Sequence, residues 1–98
     1  MTTAQTILAQ LGGNRFCAMT GAKDFIGLPR GLMFALPLRM CANKANKVRI
    51  ELDDSDTYKV EFFNIRGTTV KPISTHELVY ADRLAQTISD QTGLAVRL

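Results

Sequence analysis

The stretch KVRIELDDSDTYKVEFF, residues 47–63, contains the clearest structural pattern of the chain, because two alternating runs flank a short polar loop. Apolar and charged side chains alternate over residues 47–53 and again over residues 58–62. A period of two is typical of strands that bury one face. The stretch therefore predicts an antiparallel hairpin that folds about Ser55, with residues 53–57 as its loop.

The charges of this hairpin predict its register. Folding about Ser55 sets apolar residues opposite one another and each acid opposite a base: Leu52 with Tyr58, Ile50 with Val60, Val48 with Phe62, Glu51 with Lys59, and Arg49 with Glu61. Like charges directly opposite would destabilise the pairing, and a slip by one residue would expose the apolar face. The alternation breaks at Phe62 and Phe63, which predicts a bulge before Gly67 ends the strand.

On the amino-terminal side, residues 3–11 carry apolar side chains at helical spacing, and Gly12 can end that helix. Residues 15–20 predict a strand that a turn at Gly21 closes. A loop containing Gly27, Pro29 and Gly31 then leads to a predicted strand over residues 32–36.

On the carboxyl-terminal side, Ser74 and Glu77 have the spacing of a helix capping box. An apolar stripe from Leu78 to Ile88 predicts a second helix that starts there and stops at Gly93. Residues 94–98 alternate and predict a last short strand.

These elements predict a single α+β domain over residues 1–98, in the order α-β-β-β-β-α-β, with a mainly antiparallel sheet of four to five strands and two helices. Residues 16–19 and 32–36 are apolar on both faces, so the two helices lie on opposite faces of the sheet or a second copy of the chain covers one of them. A homodimer is thus one expectation.

Composition predicts a soluble, cytoplasmic chain. Of its 98 residues, 46% are hydrophobic, with no apolar run of membrane-spanning length and no signal-peptide pattern at the start. Membrane partners are not expected. Cys17 and Cys41 lie far apart among apolar neighbours, so they are interpreted as reduced core thiols.

Charge is unevenly distributed along the chain. Residues 1–49 hold seven Lys and Arg against one acid, whereas residues 50–98 hold five against eight. This asymmetry is compatible with an anionic partner, since clustered cations exchange counterions for phosphates. The alternative is a fold that interleaves the two halves and spreads the charge.

GGNRFCAMTGAK, residues 12–23, has glycines around a short run and ends in lysine, as a phosphate loop would. Its spacing is wrong, and Asp24 stands where the metal-binding hydroxyl belongs. A looser anion contact by Thr20 and Lys23 stays open beside the interpretation as a plain turn.

Other chemistry has no pattern in this sequence. The acidic loop of residues 53–56 lacks the glycine and glutamate of a calcium loop, and His76 has no neighbouring nucleophile. We therefore expect no catalytic residue, no metal site, no cofactor and no enzymatic activity.

The best candidate site is basic. It consists of Arg39, Lys44, Lys47 and Arg49, on a loop and the strand that it enters, with Arg66 on the neighbouring strand. Nucleic acid is the expected ligand, although Glu61 is expected to pair with Arg49 and exposed aromatic side chains for base stacking are not evident.

Several short runs carry a family resemblance: LGGNRF at 11–16, MTGAKDF at 19–25, LP at 36–37, VRI at 48–50, DTY at 56–58, VEF at 60–62, VYAD at 79–82 and TGL at 92–94. With these runs the chain resembles a large set of small uncharacterised proteins carried by bacteriophages, prophages and other mobile elements. The resemblance implies a phage-borne protein that works in the cytoplasm of a bacterial host.

Two functions follow as hypotheses. The first is a non-catalytic binding module whose basic surface docks on nucleic acid or a nucleoprotein complex. The second is an inhibitor of a host defence system, of anti-CRISPR or anti-restriction type, that acts by protein–protein contact.

Overall fold

The chain forms one antiparallel sheet with helices on a single face. The structure, a computed structural model, describes residues 3–37, 41 and 43–94. Its strands are β1 (Lys23–Leu28), β2 (Gly31–Ala35), β3 (Lys47–Leu52), β4 (Tyr58–Arg66) and β5 (Thr69–Val79); its helices are α1 (Thr3–Leu11), α2 (Asn14–Thr20) and α3 (Leu84–Thr92), the last preceded by a 3-10 turn over Ala81–Arg83. Each strand pairs with the next one in the chain, so the sheet order is β1-β2-β3-β4-β5. The predicted α+β class is confirmed.

The β3–β4 hairpin has the predicted register. Leu52 pairs with Tyr58 and Arg49 with Glu61, and the intervening pairs follow in step. The β4–β5 pairing shifts its register between Phe62 and Phe63, where the sequence predicts a bulge. Local alternation and complementary charge were sufficient to predict this part of the sheet.

The core lies between one face of the sheet and the helices. Val48, Ile50, Val60 and Phe62 face it and are fully buried, and they meet the equally buried helix residues Ile7, Phe16, Leu84 and Ile88. Helix α1 packs on β1 and β2 and contacts α3. Burying each such side chain contributes roughly 1.5–3 kcal/mol.

The predicted strand over residues 15–20 is wrong, because Asn14–Thr20 is helix α2. Gly13 precedes it at φ 59°, and Gly21 ends it at φ 77° in the left-handed conformation. Phe16 and Thr20, four residues apart, are its buried positions, so the apolar run has a helical and not a two-faced strand pattern. With α2 helical, the expected need for cover on both faces of that run disappears.

Residues 23–28, predicted as loop, form strand β1. Gly27 and Gly31 suggested a turn, yet both lie within strands, and only Pro29 and Arg30 connect them. Gly31 is required by a close approach, since a Cβ there would lie 2.2 Å from the Ile50 carbonyl oxygen. Glycine here permits strand pairing and does not break it.

The predicted helix start at Ser74 is also wrong, because Thr69–Val79 is strand β5 and α3 begins only at Leu84. Ser74 pairs with Phe62 and His76 with Val60, so the capping-box spacing has no helix to cap. Residues 74–76 and Val79 pair along β4, and this tertiary gain outweighs a local helical pattern.

The end of α3 agrees with prediction, since Gly93 is left-handed at φ 76° and its amide donates to the Ser89 carbonyl at 2.8 Å. Residues 95–98 of the predicted last strand lie outside the described residues. Within the ranges that are described, no helix is long and apolar enough to cross a membrane. All three helices lie on the core side of the sheet, not on opposite faces as one of the two expectations held.

Candidate nucleic-acid interface

The two ends of the sheet carry opposite charge. At one end lies the β3–β4 loop, with the exposed carboxylates of Asp53, Asp54 and Asp56. At the other end, where β4 finishes, lie Lys44, Arg66 and Lys71, which are all exposed. The nine residues of β4 join these ends, a distance of about 27 Å. Since this exceeds the screening length of about 8 Å at physiological salt, each end presents its own field.

The basic end contains a cavity of about 520 Å³, here called the basic groove. It is lined by Asn43, Lys44, Asn64, Arg66, Thr69, Lys71, Pro72 and Ile73. Three cationic side chains and two amides thus surround a concave space of ligand-binding size.

The three cations of the groove have no ion-pair partner in the part of the chain that the structure describes. Elsewhere, Arg30 lies 2.7 Å from Asp54, and Arg49 lies 2.7 Å from Glu61. Within residues 3–37, 41 and 43–94, no carboxylate lies within ion-pair distance of Lys44, Arg66 or Lys71. The positive charge of the groove is therefore not neutralised by the carboxylates that the structure describes.

Two asparagines fix the loop that forms one wall of the groove. Asn46 both accepts a bond from the Ile65 amide and donates one to the Ile65 carbonyl, each at 2.8 Å. Asn64 donates to the Lys44 carbonyl at 2.8 Å, and Lys44 itself takes the left-handed conformation at φ 63°. These bonds tie the loop to β4, so Lys44 is held beside Arg66.

Asn43 lies in this wall and uses only its side-chain oxygen in bonds to the described residues. Its Oδ1 accepts a bond from the Ala45 amide at 3.1 Å. Its Nδ2 is buried and has no hydrogen-bond partner among the described residues. This nitrogen is an exception to the rule that buried polar groups are hydrogen-bonded.

The structure brings together only part of the predicted basic group. Lys44 and Arg66 line the same groove, and Lys71 joins them. Sequence reasoning missed Lys71, because the strand that carries it was not predicted. Lys47 lies on the sheet face opposite the buried Val48, outside the groove, and Arg39 lies outside the described residues.

Arg49 has a structural role. Its guanidinium donates to Glu61 at 2.7 and 3.0 Å, lies 3.1 Å from Glu51, and covers the Phe63 ring at 5.5 Å. The expected partnership with Glu61 is confirmed. These contacts hold Arg49 on the open face of the sheet, outside the basic groove.

Thr20 and Lys23, the proposed anion contact, lie in different environments, because Thr20 is buried and Lys23 is exposed. Thr20 is 2% exposed, and its hydroxyl donates to the Phe16 carbonyl at 2.7 Å and accepts from the Ala22 amide at 3.2 Å. These bonds close the end of α2. Lys23 is exposed in β1, where it pairs with Ala35 and lies in the same cross-strand row as Lys47.

His76 lies on β5 and contacts a hydroxyl, with its Nε2 at 3.2 Å from Ser74 Oγ. Its ring and that of Phe62 are nearly perpendicular, at 79°, with centroids 5.8 Å apart. No carboxylate lies within ion-pair distance of the imidazole in the described part of the chain. Nor do the described residues include a group of three or more His, Cys, Asp or Glu side chains that could hold a metal ion.

The basic groove is thus the place where a concave surface coincides with three cations that have no carboxylate partner among the described residues. Comparison with known proteins adds no further assignment to it. No known protein family, curated protein or solved structure matches the chain.

Proposed function

We propose that the protein is a non-catalytic module that binds nucleic acid through the basic groove. The observation that carries this proposal is the contrast between its two ends. Lys44, Arg66 and Lys71 surround the groove without a described carboxylate partner, whereas Arg30 and Arg49 are paired elsewhere. Unpaired cations of this kind displace the counterions of a phosphate backbone, which favours binding.

The groove also supplies neutral donors to phosphate or sugar oxygens. The Asn64 amide and the Thr69 hydroxyl line this space. Contacts of this kind position a nucleic acid without reading its sequence. Together with the resemblance to phage-borne proteins, they support a role on nucleic acid or a nucleoprotein complex in the bacterial cytoplasm.

The salt dependence of binding tests this function. We expect the affinity for mixed-sequence DNA to fall steeply with salt. Each of Lys44→Gln and Lys71→Gln should reduce the logarithmic slope by about 0.9, the contribution of one phosphate contact on B-DNA. The measurement is fluorescence anisotropy across a salt series, with urea unfolding to show that each variant is folded.

Arg30→Gln is the matched control, because it removes the same charge from the other end of the molecule, where Arg30 pairs with Asp54. It should leave the slope unchanged. Binding that is absent, or that does not respond to salt, would contradict the proposed function.

The second candidate function is inhibition of a host defence system by protein contact. It is favoured by the sheet face that the helices leave open, where Leu28, Pro29 and Met33 line a cavity of about 390 Å³ and Ile26 is 47% exposed. A tagged copy should then retain a defined host protein from a nuclease-treated lysate. Eluates that lose every protein after nuclease treatment would argue for the first function instead.

Self-association of the chain stays a prediction. The same open face is the surface that a second copy would cover. Sedimentation equilibrium across a concentration range measures the oligomeric state directly.

A further inference from the structure

The β4–β5 hairpin extends beyond the rest of the sheet. The last β3 residue paired with β4 is Lys47, opposite Phe63. Three further pairs follow on β4 and β5 alone: Asn64 with Lys71, Ile65 with Val70, and Arg66 with Thr69. A turn of two residues, Gly67 and Thr68, closes the hairpin, with Gly67 at φ 57°. Residues 64–71 thus form a two-stranded projection, here called the arm.

The arm has one polar and one apolar face. Directly paired residues share a face, and residues two apart on a strand do so as well. Asn64, Arg66, Thr69 and Lys71 therefore lie on one face, and all four line the basic groove. Ile65 and Val70 lie on the other face, where Val70 is 55% exposed.

The polar face of the arm has two parts, a base that the loop contacts and an exposed tip. At the base of the arm, Asn64 donates to the Lys44 carbonyl, so the loop covers this face there. At the tip, residues 66–69 are all exposed. Lys44 and Lys71 therefore lie beside the base of the arm, and Arg66 and Thr69 lie at its end.

We propose that the arm enters the major groove of duplex DNA, with Arg66 and Thr69 toward the base edges and with Lys44 and Lys71 on the flanking phosphates. This inference rests on the proposed function and names its substrate as double-stranded DNA. The major groove of B-DNA, about 12 Å wide and 8.5 Å deep, admits a two-stranded ribbon. Beyond the Ile65–Val70 pair, which Asn46 ties to the loop, the free part of the arm is about 7 Å long, and the Arg66 side chain adds to its reach toward the base edges.

The side chains at the tip suit that position. Arginine donates in parallel to O6 and N7 of guanine, and threonine bonds to several base edges. The major groove of duplex RNA is deep and narrow, so a ribbon cannot read it. Duplex DNA is therefore the nucleic acid that the shape of the arm favours over duplex RNA.

The test compares three labelled probes of one sequence at one salt concentration: duplex DNA, duplex RNA, and duplex DNA whose cytosines carry a glucosylated hydroxymethyl group at C5. The glucose fills the major groove and leaves the phosphates unchanged. We expect the unmodified DNA duplex to bind at least about tenfold more tightly than the other two, the discrimination that one bidentate base contact provides.

Two variants separate base contacts from phosphate contacts. Arg66→Gln should lower affinity for unmodified DNA about tenfold and remove most of its preference over the glucosylated probe. Lys44→Gln should weaken all three probes while the preference remains. Urea unfolding of both variants shows whether the fold is intact.

The outcomes distinguish this inference from the proposed function. Salt-dependent binding that is equal for unmodified and glucosylated DNA, or equal for duplex RNA, would overturn the arm proposal and leave the binding function in place. Absence of binding to every probe would overturn both.

Discussion

Gly31 shows how a single missing Cβ sets the distance between two strands. It lies in β2 opposite Glu51, and an added Cβ would meet the Ile50 carbonyl oxygen at 2.2 Å. Because that oxygen belongs to the backbone, the strand itself would have to move. Gly31 is thus a position where the requirement is for space and not for an unusual φ.

Gly31→Ala should therefore lower the free energy of unfolding by about 3 kcal/mol, measured by urea denaturation. Gly27→Ala is the matched control within a neighbouring strand, since its Cβ would make an ordinary 3.5 Å contact with Ala4. That control should change stability by less than about 0.5 kcal/mol. An effect of Gly31→Ala as small as that expected for Gly27→Ala would show that β2 and β3 can separate without cost.

Cys41 provides a prediction about pH. Burial raises the pKa of the Cys41 thiol above its ordinary value of 9.0, because the thiolate loses hydration. Because the pKa is higher in the folded state, the neutral thiol contributes its full stabilisation below the ordinary pKa of 9.0. This contribution is lost as pH rises through the higher pKa of the folded state. The stability of the native chain relative to Cys41→Ala should therefore decrease above pH 9.0.

Urea unfolding at a series of pH values measures this difference. Cys17, half-buried on α2, provides the control, because Cys17→Ala retains the Cys41 thiol. A stability difference that stays constant through the alkaline range would contradict the prediction for Cys41.

At the scale of elements, an ion pair between Arg49 and Glu61 stabilises the β3–β4 hairpin. Its contribution to stability depends more on burial than on the distance between the two side chains. Arg49 to Glu61 and Arg30 to Asp54 are both 2.7 Å, yet the Glu61 side chain is 11% exposed and that of Asp54 is 90% exposed. Exposed pairs contribute little because solvent screens them, whereas removing a partner from a buried carboxylate leaves it without its hydrogen bonds.

Arg49→Met should therefore lower the free energy of unfolding by roughly 1.5–3 kcal/mol, and Arg30→Met by less than about 1 kcal/mol. Urea denaturation of both variants measures the contrast. If both substitutions have the same effect, burial of Glu61 is not the reason for the strength of this pair.

The β4–β5 pairing contains a strained position at its other end. The register shifts between Tyr58 and Val60, and the opposite strand accommodates the extra residue with Leu78 at φ 56°. Leucine is unfavourable in this left-handed conformation, and Leu78 is 66% exposed, so little burial offsets the strain.

Leu78→Asn should raise the free energy of unfolding by about 1 kcal/mol, since asparagine tolerates left-handed backbone. Val70→Asn replaces another exposed apolar residue of β5, one outside the left-handed region, and should not stabilise the protein. Thermal unfolding compares the two. Stabilisation by both would point to general surface polarity as the cause.

At the scale of the whole molecule, the helices complete the core from one side of the sheet. Helix α3 comes last in the described chain and contacts α1, and its Leu84 and Ile88 are fully buried. The sheet face beneath them would otherwise meet water. The stability of the molecule therefore depends on a contact between its two described ends.

Ile88→Ala should lower the free energy of unfolding by about 3 kcal/mol, through lost burial and a residual cavity. Asp90→Ala, two residues later on the exposed side of α3, removes one surface bond from Gln86 and should cost less than about 0.5 kcal/mol. Urea denaturation followed by circular dichroism gives both values. A small effect of Ile88→Ala would mean that α3 contributes little to the core.

Local sequence patterns were enough to predict the β3–β4 register, helix α1 and the end of α3. Alternation and complementary charge specified the β3–β4 register, helical spacing specified α1, and Gly93 marked the end of α3. Each of these follows from residues within one element or one hairpin, where the physical preference is local. The α+β class followed from their sum.

Helix α2 and the strands β1 and β5 could not be predicted from local patterns and depend on tertiary contacts. The basic groove depends on them as well, because β5 forms part of its lining. Residues 74–79 have a helical pattern, yet β4 pairs with residues 74–76 and, across a register shift, with Val79, and this long-range pairing outweighs a local preference. That choice places Lys71 beside Arg66 and Lys44. A site made by three separate segments depends on such pairing, which residue spacing along the chain does not express.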